Sequence, residues 1–256
     1  MSGMSRFKII GAFAVLMLLF FGLFNVDVYA GVFPGMNTLW EGTDDPAEVV
    51  PVLQTLFLVS IIALAPSLLV MFTGFVRIII VLSFMRQAMA TQMMPPNQVL
   101  IGIALFLTMF IMTPVLQDIN QNALQPFGAG ELSIEEALSA GMEPIRRFMK
   151  AHVQDADVSL FLDLANEYFD TDDLPNHVLI PAFILGEITA GFVIGFMIYL
   201  PFIAVDMVVA SVLMAMGMMM LPPAMISLPF KVLLFVLVDG WQLIIGGVVE
   251  SFWRYS

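Results

Sequence analysis

Long apolar runs with few charged residues dominate this sequence. They cover residues 52–76, 78–84 and 99–116, and a longer, interrupted stretch covers residues 179–249. Hydrophobic residues make up 60% of the 256 positions and charged residues only 12%, with a mean hydropathy of +0.97. A soluble domain carries about a quarter charged residues, and runs of about 18 or more apolar residues are typical of membrane-spanning helices. The sequence therefore predicts an all-α integral membrane protein.

Charge balance and residue usage exclude several classes of function. The chain has 21 acidic against 9 basic residues, a net charge of −12, and so lacks the basic surface that nucleic-acid binding requires. It has no cysteine, and His152 and His177 do not have the spacing of metal ligands. Walker A, GxGxxG and HExxH motifs are absent. We therefore predict no enzyme activity, no catalytic residue, no cofactor, no metal and no nucleic-acid partner.

The first 30 residues have the parts of a secretory signal peptide. A short basic start precedes the apolar run 9–24, and small residues around Ala30 suit cleavage after it. The alternative is a retained transmembrane helix, but the run is shorter than the roughly 20 residues that such a helix needs. The sequence favours a signal peptide over residues 1–30, followed by an acidic extracytoplasmic segment over residues 31–51.

The remaining chain divides into two membrane blocks around an acidic insert. We predict a first membrane helical block over residues 52–117, an extracytoplasmic helical domain over 118–178 and a second membrane block over 179–256. Arg77 and Arg86 are the only bases between residues 9 and 145. Because positive charge favours the cytoplasmic side, the stretch 77–98 is expected to face inward.

The insert holds 12 of the 21 acidic residues and three of the bases. Ser133 and Glu136 have the spacing of a capping box, which predicts a helix start. Gly141 can end that helix and Pro144 can begin the next one. Apolar residues from Val158 onward recur at helical spacing and predict a third short helix. These features predict a small acidic helical domain outside the membrane.

Several prolines interrupt the apolar sequence of the second membrane block. Pro201, the pair at 222–223 and Pro229 are expected to divide it into pieces near 179–200, 202–221 and 228–250. The middle piece is short for a membrane span. Broken helical hairpins sheltered by other protein suit such pieces better than a simple lipid-facing bundle.

A methionine cluster precedes the proline pair at 222–223. Its candidate functional members are Met216, Met218, Met219 and Met220. Methionine is long, unbranched and adaptable, so a ring of these side chains from several subunits could close a pore and yield when something wide passes. Ordinary packing against the core or lipid is the alternative, and the sequence leaves both open. A copper site is disfavoured because no His or Cys lies nearby.

Four ionisable residues lie inside the second apolar block. They are Glu187, Asp206, Lys231 and Asp239. Charges at bilayer depth usually face a partner, so we predict that these residues form buried charge pairs, with Lys231 pairing with Asp206 or Asp239. A proton relay is the alternative, and an aspartic intramembrane protease is disfavoured. Gly191 and Gly195 form a GxxxG pattern, which predicts close packing of two helices.

Sequence motifs over nearly the whole chain resemble one family. The second block carries them at residues 201–203, 206–213, 216–223, 227–231 and 233–241, and the first block at 72–73, 77–78, 80–83, 86 and 95–100. These stretches are similar to the FliP/SctR family of type III secretion export-gate proteins, in particular its flagellar branch. Departures from the family pattern are Gly74, Ala90, Gly186 and Thr189, and the last of these replaces a lysine that usually lies near Glu187.

The resemblance implies a non-enzymatic gate subunit in the bacterial inner membrane, at the flagellar basal body. Several copies would assemble with FliQ, FliR and other export components into a helical, funnel-like oligomer through which unfolded flagellar subunits pass. The methionine cluster would be its ion-tight gasket. Two alternatives remain at this point: the injectisome homologue of the same gate, and a proton-coupled small-solute transporter that uses Glu187, Asp206 and Asp239.

Overall fold

The computed structural model describes most of the chain after residue 66. The described residues are 57, 59–60, 63–64, 66–91, 94–166, 174–218 and 220–253. The predicted signal peptide, the segment 31–51 and Met219 lie outside them. The chain divides into two compact units, Met1–Leu69 and Val70–Ser256. The helices labelled below belong to the second unit.

All regular secondary structure in the described residues is helical, as the composition predicts. The main helices are α1 (Phe75–Ala88), α2 (Asn97–Ile119), α3 (Ile134–His152), α4 (Asp155–Ala165), α5 (Asn176–Ala215), α6 (Pro223–Leu237) and α7 (Gly240–Trp253). A π-helical turn, Asn120–Leu124, and the short helix Gln125–Gly128 continue α2 past Asp118. The division of the chain into domains at residues 117 and 178 stays a prediction.

In the part of the chain that the structure describes, two helical stretches are long and apolar enough to cross a membrane on their own. They are Asn97–Gly128, with 32 residues, and Asn176–Ala215, with 40 residues. The number rises to four when Pro66–Phe72 with Phe75–Ala88, and Pro223–Leu237 with Gly240–Trp253, are each counted as one span. These lengths fit the roughly 20 apolar residues that a span requires.

The predicted break at Pro201 is wrong. Helix α5 passes through Pro181 and Pro201 without ending, so residues 202–215 of the expected short piece are the last part of a 40-residue helix. A proline removes one backbone hydrogen bond, but an apolar helix tolerates this loss when neighbours and local adjustment satisfy the carbonyl. The predicted break at the proline pair is confirmed, since α5 ends at Ala215 and α6 begins at Pro223.

Two further boundaries differ from the sequence prediction. Pro229 lies inside α6, and the break comes instead at Asp239, where the backbone has a left-handed φ of 49°. Arg77, expected to end the first apolar run, lies inside α1. Arginine is a good helix former, so it does not interrupt the helix, and a carboxylate from α5 neutralises its charge, as described below.

In the insert, the capping box at the start of α3 is confirmed. Ser133 Oγ accepts from the Glu136 amide, and the Glu136 carboxylate accepts from the Ser133 amide. The predicted end at Gly141 and new start at Pro144 are wrong, because α3 runs through both residues to His152. Its apolar face buries Phe148 and Met149, and this packing outweighs the local penalty of the proline.

The core lies where α1 packs along α5, with α7 and the end of α3 beside them. Ile78, Leu82 and Met85 of α1 are fully buried, as is Phe183 of α5. By contrast, many large apolar side chains of α5 and α6 are exposed, including Met207, Val208 and Leu233. One face of this hairpin is therefore left uncovered by the other described helices.

Candidate functional site

The methionine loop, residues 216–222, connects α5 to α6. Gly217 has a left-handed φ of 74°, which lets it close α5 in a Schellman arrangement. The Met218 amide donates to the Leu213 carbonyl and the Gly217 amide to the Met214 carbonyl, each at 3.0 Å. A glycine at this position therefore turns the chain sharply out of α5 and directs the following methionines away from the helix.

The described side chains of this loop are exposed. Met216 is 62% exposed, Met218 38% and Met220 98%. In a chain with candidate membrane spans, an exposed apolar patch of this kind can face lipid or another protein. The loop therefore presents a flexible apolar surface on either reading.

An ion pair holds together the two helices that flank the methionine loop. Lys231 Nζ on α6 donates to Asp206 Oδ2 on α5 at 2.6 Å, and Ser227 Oγ donates to Asp206 Oδ1 at 2.5 Å. Lys231 is 3% exposed and Asp206 34%. Of the two partners that the sequence allowed for Lys231, the structure brings Asp206 to it. Ser227 was missed, although it lies four residues before Lys231 and so shares its helix face.

A second ion pair joins α1 to α5. The Arg77 guanidinium donates to the Glu187 carboxylate, and the two side chains are 4% and 1% exposed. Arg77 Nη1 also donates to Ser251 Oγ at 3.1 Å, and its guanidinium lies 4.0 Å from the ring centre of Phe252. Arg77, one of the two bases that predicted the inward-facing side, is therefore a buried structural partner. Only Arg86 remains as an indicator of membrane orientation.

The structure also places Gly191 and Gly195 against α1. A methyl group on Gly191 would lie 3.0 Å from Ile80 Cβ, and one on Gly195 would lie 2.6 Å from Phe84 Cγ. Both distances are shorter than ordinary contacts, so only glycine lets the two helices approach this closely. The partner of the GxxxG face is thus α1 of the same chain.

Asp239, the fourth candidate ionisable residue, is not brought to the other three. It is exposed at the break between α6 and α7. No ion pair of Asp239 is found among the residues that the structure describes. The four residues predicted as buried charge pairs therefore do not form one group. Glu187 pairs with Arg77, Lys231 pairs with Asp206, and Asp239 is an exposed carboxylate.

Two carboxylates of the insert have shifted pKa values. Hydrogen bonds from the backbone and hydroxyl of Ser133 lower the pKa of Glu136. Burial raises the pKa of Asp157, whose Oδ2 has no hydrogen-bond partner in the described structure. Over the same residues no group of three or more His, Cys, Asp or Glu side chains could hold a metal ion. The ionised Glu136 carboxylate thus stabilises the start of α3, whereas burial disfavours the ionised form of Asp157.

Apolar helices of spanning length, charges neutralised in pairs and an exposed methionine turn define a helical membrane protein. Comparison with known proteins gives its family. A FliP family profile matches residues 58–248. The chain is 51% identical to the flagellar biosynthetic protein FliP of Bacillus subtilis (strain 168) over 212 residues, which cover 82% of this chain and 96% of that protein.

Two further relatives bear the same name, flagellar biosynthetic protein FliP. That of Pectobacterium carotovorum subsp. carotovorum is 50% identical over 202 residues, or 78% of each chain. That of Treponema pallidum (strain Nichols) is 45% identical over 257 residues, covering 92% of this chain and 94% of the relative. This chain belongs to the FliP family, and the resemblance predicted from its motifs is confirmed.

Proposed function

We propose that this chain is a core subunit of the flagellar type III protein export gate in the bacterial inner membrane. Membership of the FliP family and the flagellar names of its relatives support this proposal. Several copies assemble with FliQ, FliR and other export components into a helical funnel, through which unfolded flagellar subunits pass. Residues 1–30 are removed after Ala30, and the acidic domain 118–178 lies on the periplasmic side.

In this proposal the methionine loop is the ion-tight gasket of the gate. The observation that carries it is the bare apolar turn between α5 and α6, where Met220 is 98% exposed. Flexible thioether side chains can fill an irregular gap, exclude water and yield to a wide substrate. Met216, Met218, Met219 and Met220 from several copies form the seal when the gate is closed.

Both alternative functions are less well supported. The transporter hypothesis needs Glu187, Asp206 and Asp239 to exchange protons, but Arg77 and Lys231 occupy two of these carboxylates. The injectisome hypothesis is less favoured because the relatives described above are flagellar proteins by name. Neither alternative explains the exposed methionine turn better than the flagellar gate does.

Deletion and complementation test the proposed function. Cells without the gene are expected to lose both secretion of hook protein into the medium and swimming, and the intact gene is expected to restore both. Normal secretion and swimming in the deletion strain would reject the flagellar assignment. Solute uptake by the purified single chain would instead support the transporter.

The gasket has a separate test. Replacing Met218–Met220 by glycine is expected to make cells leak small ions while secretion persists. The helices around the pore remain, but the side chains that fill the closed pore are lost. Met197→Ala and Met207→Ala are matched controls, since these methionines are 63% and 66% exposed on the flank of α5. Unchanged ion tightness in the glycine variant would contradict the gasket.

A further inference from the structure

Asp239 lies at the elbow between α6 and α7, on a surface of exposed apolar side chains. The two helices are bent by 63° there, and only together are they long and apolar enough to cross a membrane. The neighbouring Leu237 and Leu243 are 72% and 67% exposed. The carboxylate thus stands near the middle of a candidate span, among side chains that the chain itself leaves uncovered.

No basic side chain of the described structure reaches this carboxylate. Lys231 and Arg77 are occupied by Asp206 and Glu187. Arg86 shares a cleft with α6 residues up to Leu228, and that helix continues for nine more residues, about 14 Å, before the elbow at Asp239. Among the described residues, no hydrogen bond to the Asp239 carboxylate is found either. The Asp239 side chain therefore does not cap the start of α7.

The elbow is rigid. The Asp239 amide donates to the Val236 carbonyl at 3.3 Å, and the Leu243 amide donates to the Asp239 carbonyl at 3.1 Å. Gly240 is packed so closely on Phe235 that an added methyl group would lie 2.3 Å from its ring. A charge presented on a fixed backbone loses little entropy when it meets a partner.

We propose that Asp239 and the apolar elbow around it form a docking site for an apolar helix of a different subunit, one that carries a single lysine or arginine. A carboxylate at bilayer depth is costly, and such residues almost always face a partner or a wet cavity. An exposed apolar patch around it marks an interaction surface. Charge complementarity selects a base, and the bases on the described apolar helices are engaged or distant, which points away from pairing between these helices of two copies. The inference rests on the proposed assembly and assigns one contact within it.

Removing the charge at Asp239 tests the docking site. Asp239→Asn keeps the size of the side chain, and asparagine accepts the left-handed backbone, so the elbow should still fold. We expect about a tenfold or larger loss of assembled complex on native gels of detergent-extracted membranes, because a buried base would lose its counter-charge. Glu250→Gln, which removes an exposed carboxylate at the far end of α7, should assemble as the unmodified chain does.

Charge reversal identifies the partner. Cells with Asp239→Lys should not swim, and motile revertants should carry a lysine or arginine changed to an acid in another subunit. A compensating change at Arg86 of this chain would show pairing between copies and overturn the choice of partner. Normal assembly of Asp239→Asn would overturn the docking site itself. Neither result touches the proposed function, which is tested separately by deletion and complementation of the gene.

Discussion

Lys231 on α6 donates to the Asp206 carboxylate on α5 across 2.6 Å, and this ion pair joins the two helices that flank the methionine loop. Ser227 donates to the second oxygen of the same carboxylate. Both oxygens of Asp206 are therefore engaged, which is the condition under which a charge is tolerated among apolar helices. The pair fixes the two ends of the loop relative to each other.

Breaking this pair should destabilise the hairpin. Lys231→Met leaves the Asp206 carboxylate with Ser227 alone in apolar surroundings, and we expect a loss of about 2 kcal/mol or more in stability, with poorer assembly of the complex. Thermal unfolding of the detergent-purified chain and native gels of membrane extracts measure the two effects.

The double variant Asp206→Asn with Lys231→Met is the control for that experiment. It removes both charges, so it should be more stable than Lys231→Met alone. If the double variant is no better than the single one, the two residues do not act as a pair.

Gly195→Ala should loosen the packing of α1 on α5. The new methyl group would lie 2.6 Å from Phe84 Cγ, so the ring or the helix must move, at a cost of about 1–3 kcal/mol. Gly246→Ala in α7 is the matched control, because nothing lies within 4 Å of the added methyl group. That variant should be unchanged or slightly stabilised. Equal melting temperatures for the two variants would contradict the close approach at Gly195.

Asp157 should make the insert less stable as the pH rises. Burial raises the pKa of its carboxyl above the ordinary value of 3.8. The folded state therefore binds the proton more tightly, and the resulting stability is present below about pH 3.8 and lost as the pH rises through the higher folded value. Asp157→Asn should melt like the unmodified chain at about pH 3 and at a higher temperature at about pH 7. A constant difference between the two chains across this range would argue against the shift.

The capping box predicts the opposite pH dependence at the start of α3. Hydrogen bonds from Ser133 lower the pKa of Glu136, so its contribution is present above the ordinary 4.5 and lost as the pH falls through the lower folded value. Ser133→Ala should reduce the helix content near neutral pH and remove most of this dependence. Circular dichroism between about pH 3 and pH 7 measures both, with Ser139→Ala inside the same helix as the control.

Most of the helical architecture follows from local patterns that the sequence displays. The apolar run 99–116 predicted α2, and the spacing of Ser133 and Glu136 predicted the start of α3, because both depend on residues close together in the chain. The proline rule failed where it competed with packing. Pro144, Pro201 and Pro229 all lie inside helices. Packing of the apolar face of α3 outweighs the penalty at Pro144, and apolar helices such as α5 and α6 tolerate a proline when the freed carbonyl is satisfied locally.

By itself, the sequence determined the class of the protein, the family and the position of the methionine loop, since composition and short motifs carry that information. Only the tertiary structure decided which charges meet. It paired Lys231 with Asp206, gave Arg77 to Glu187 and left Asp239 exposed. The physical reason is that Arg77 and Glu187 are 110 residues apart in the chain, so their contact depends on how α1 packs on α5, which no local spacing encodes.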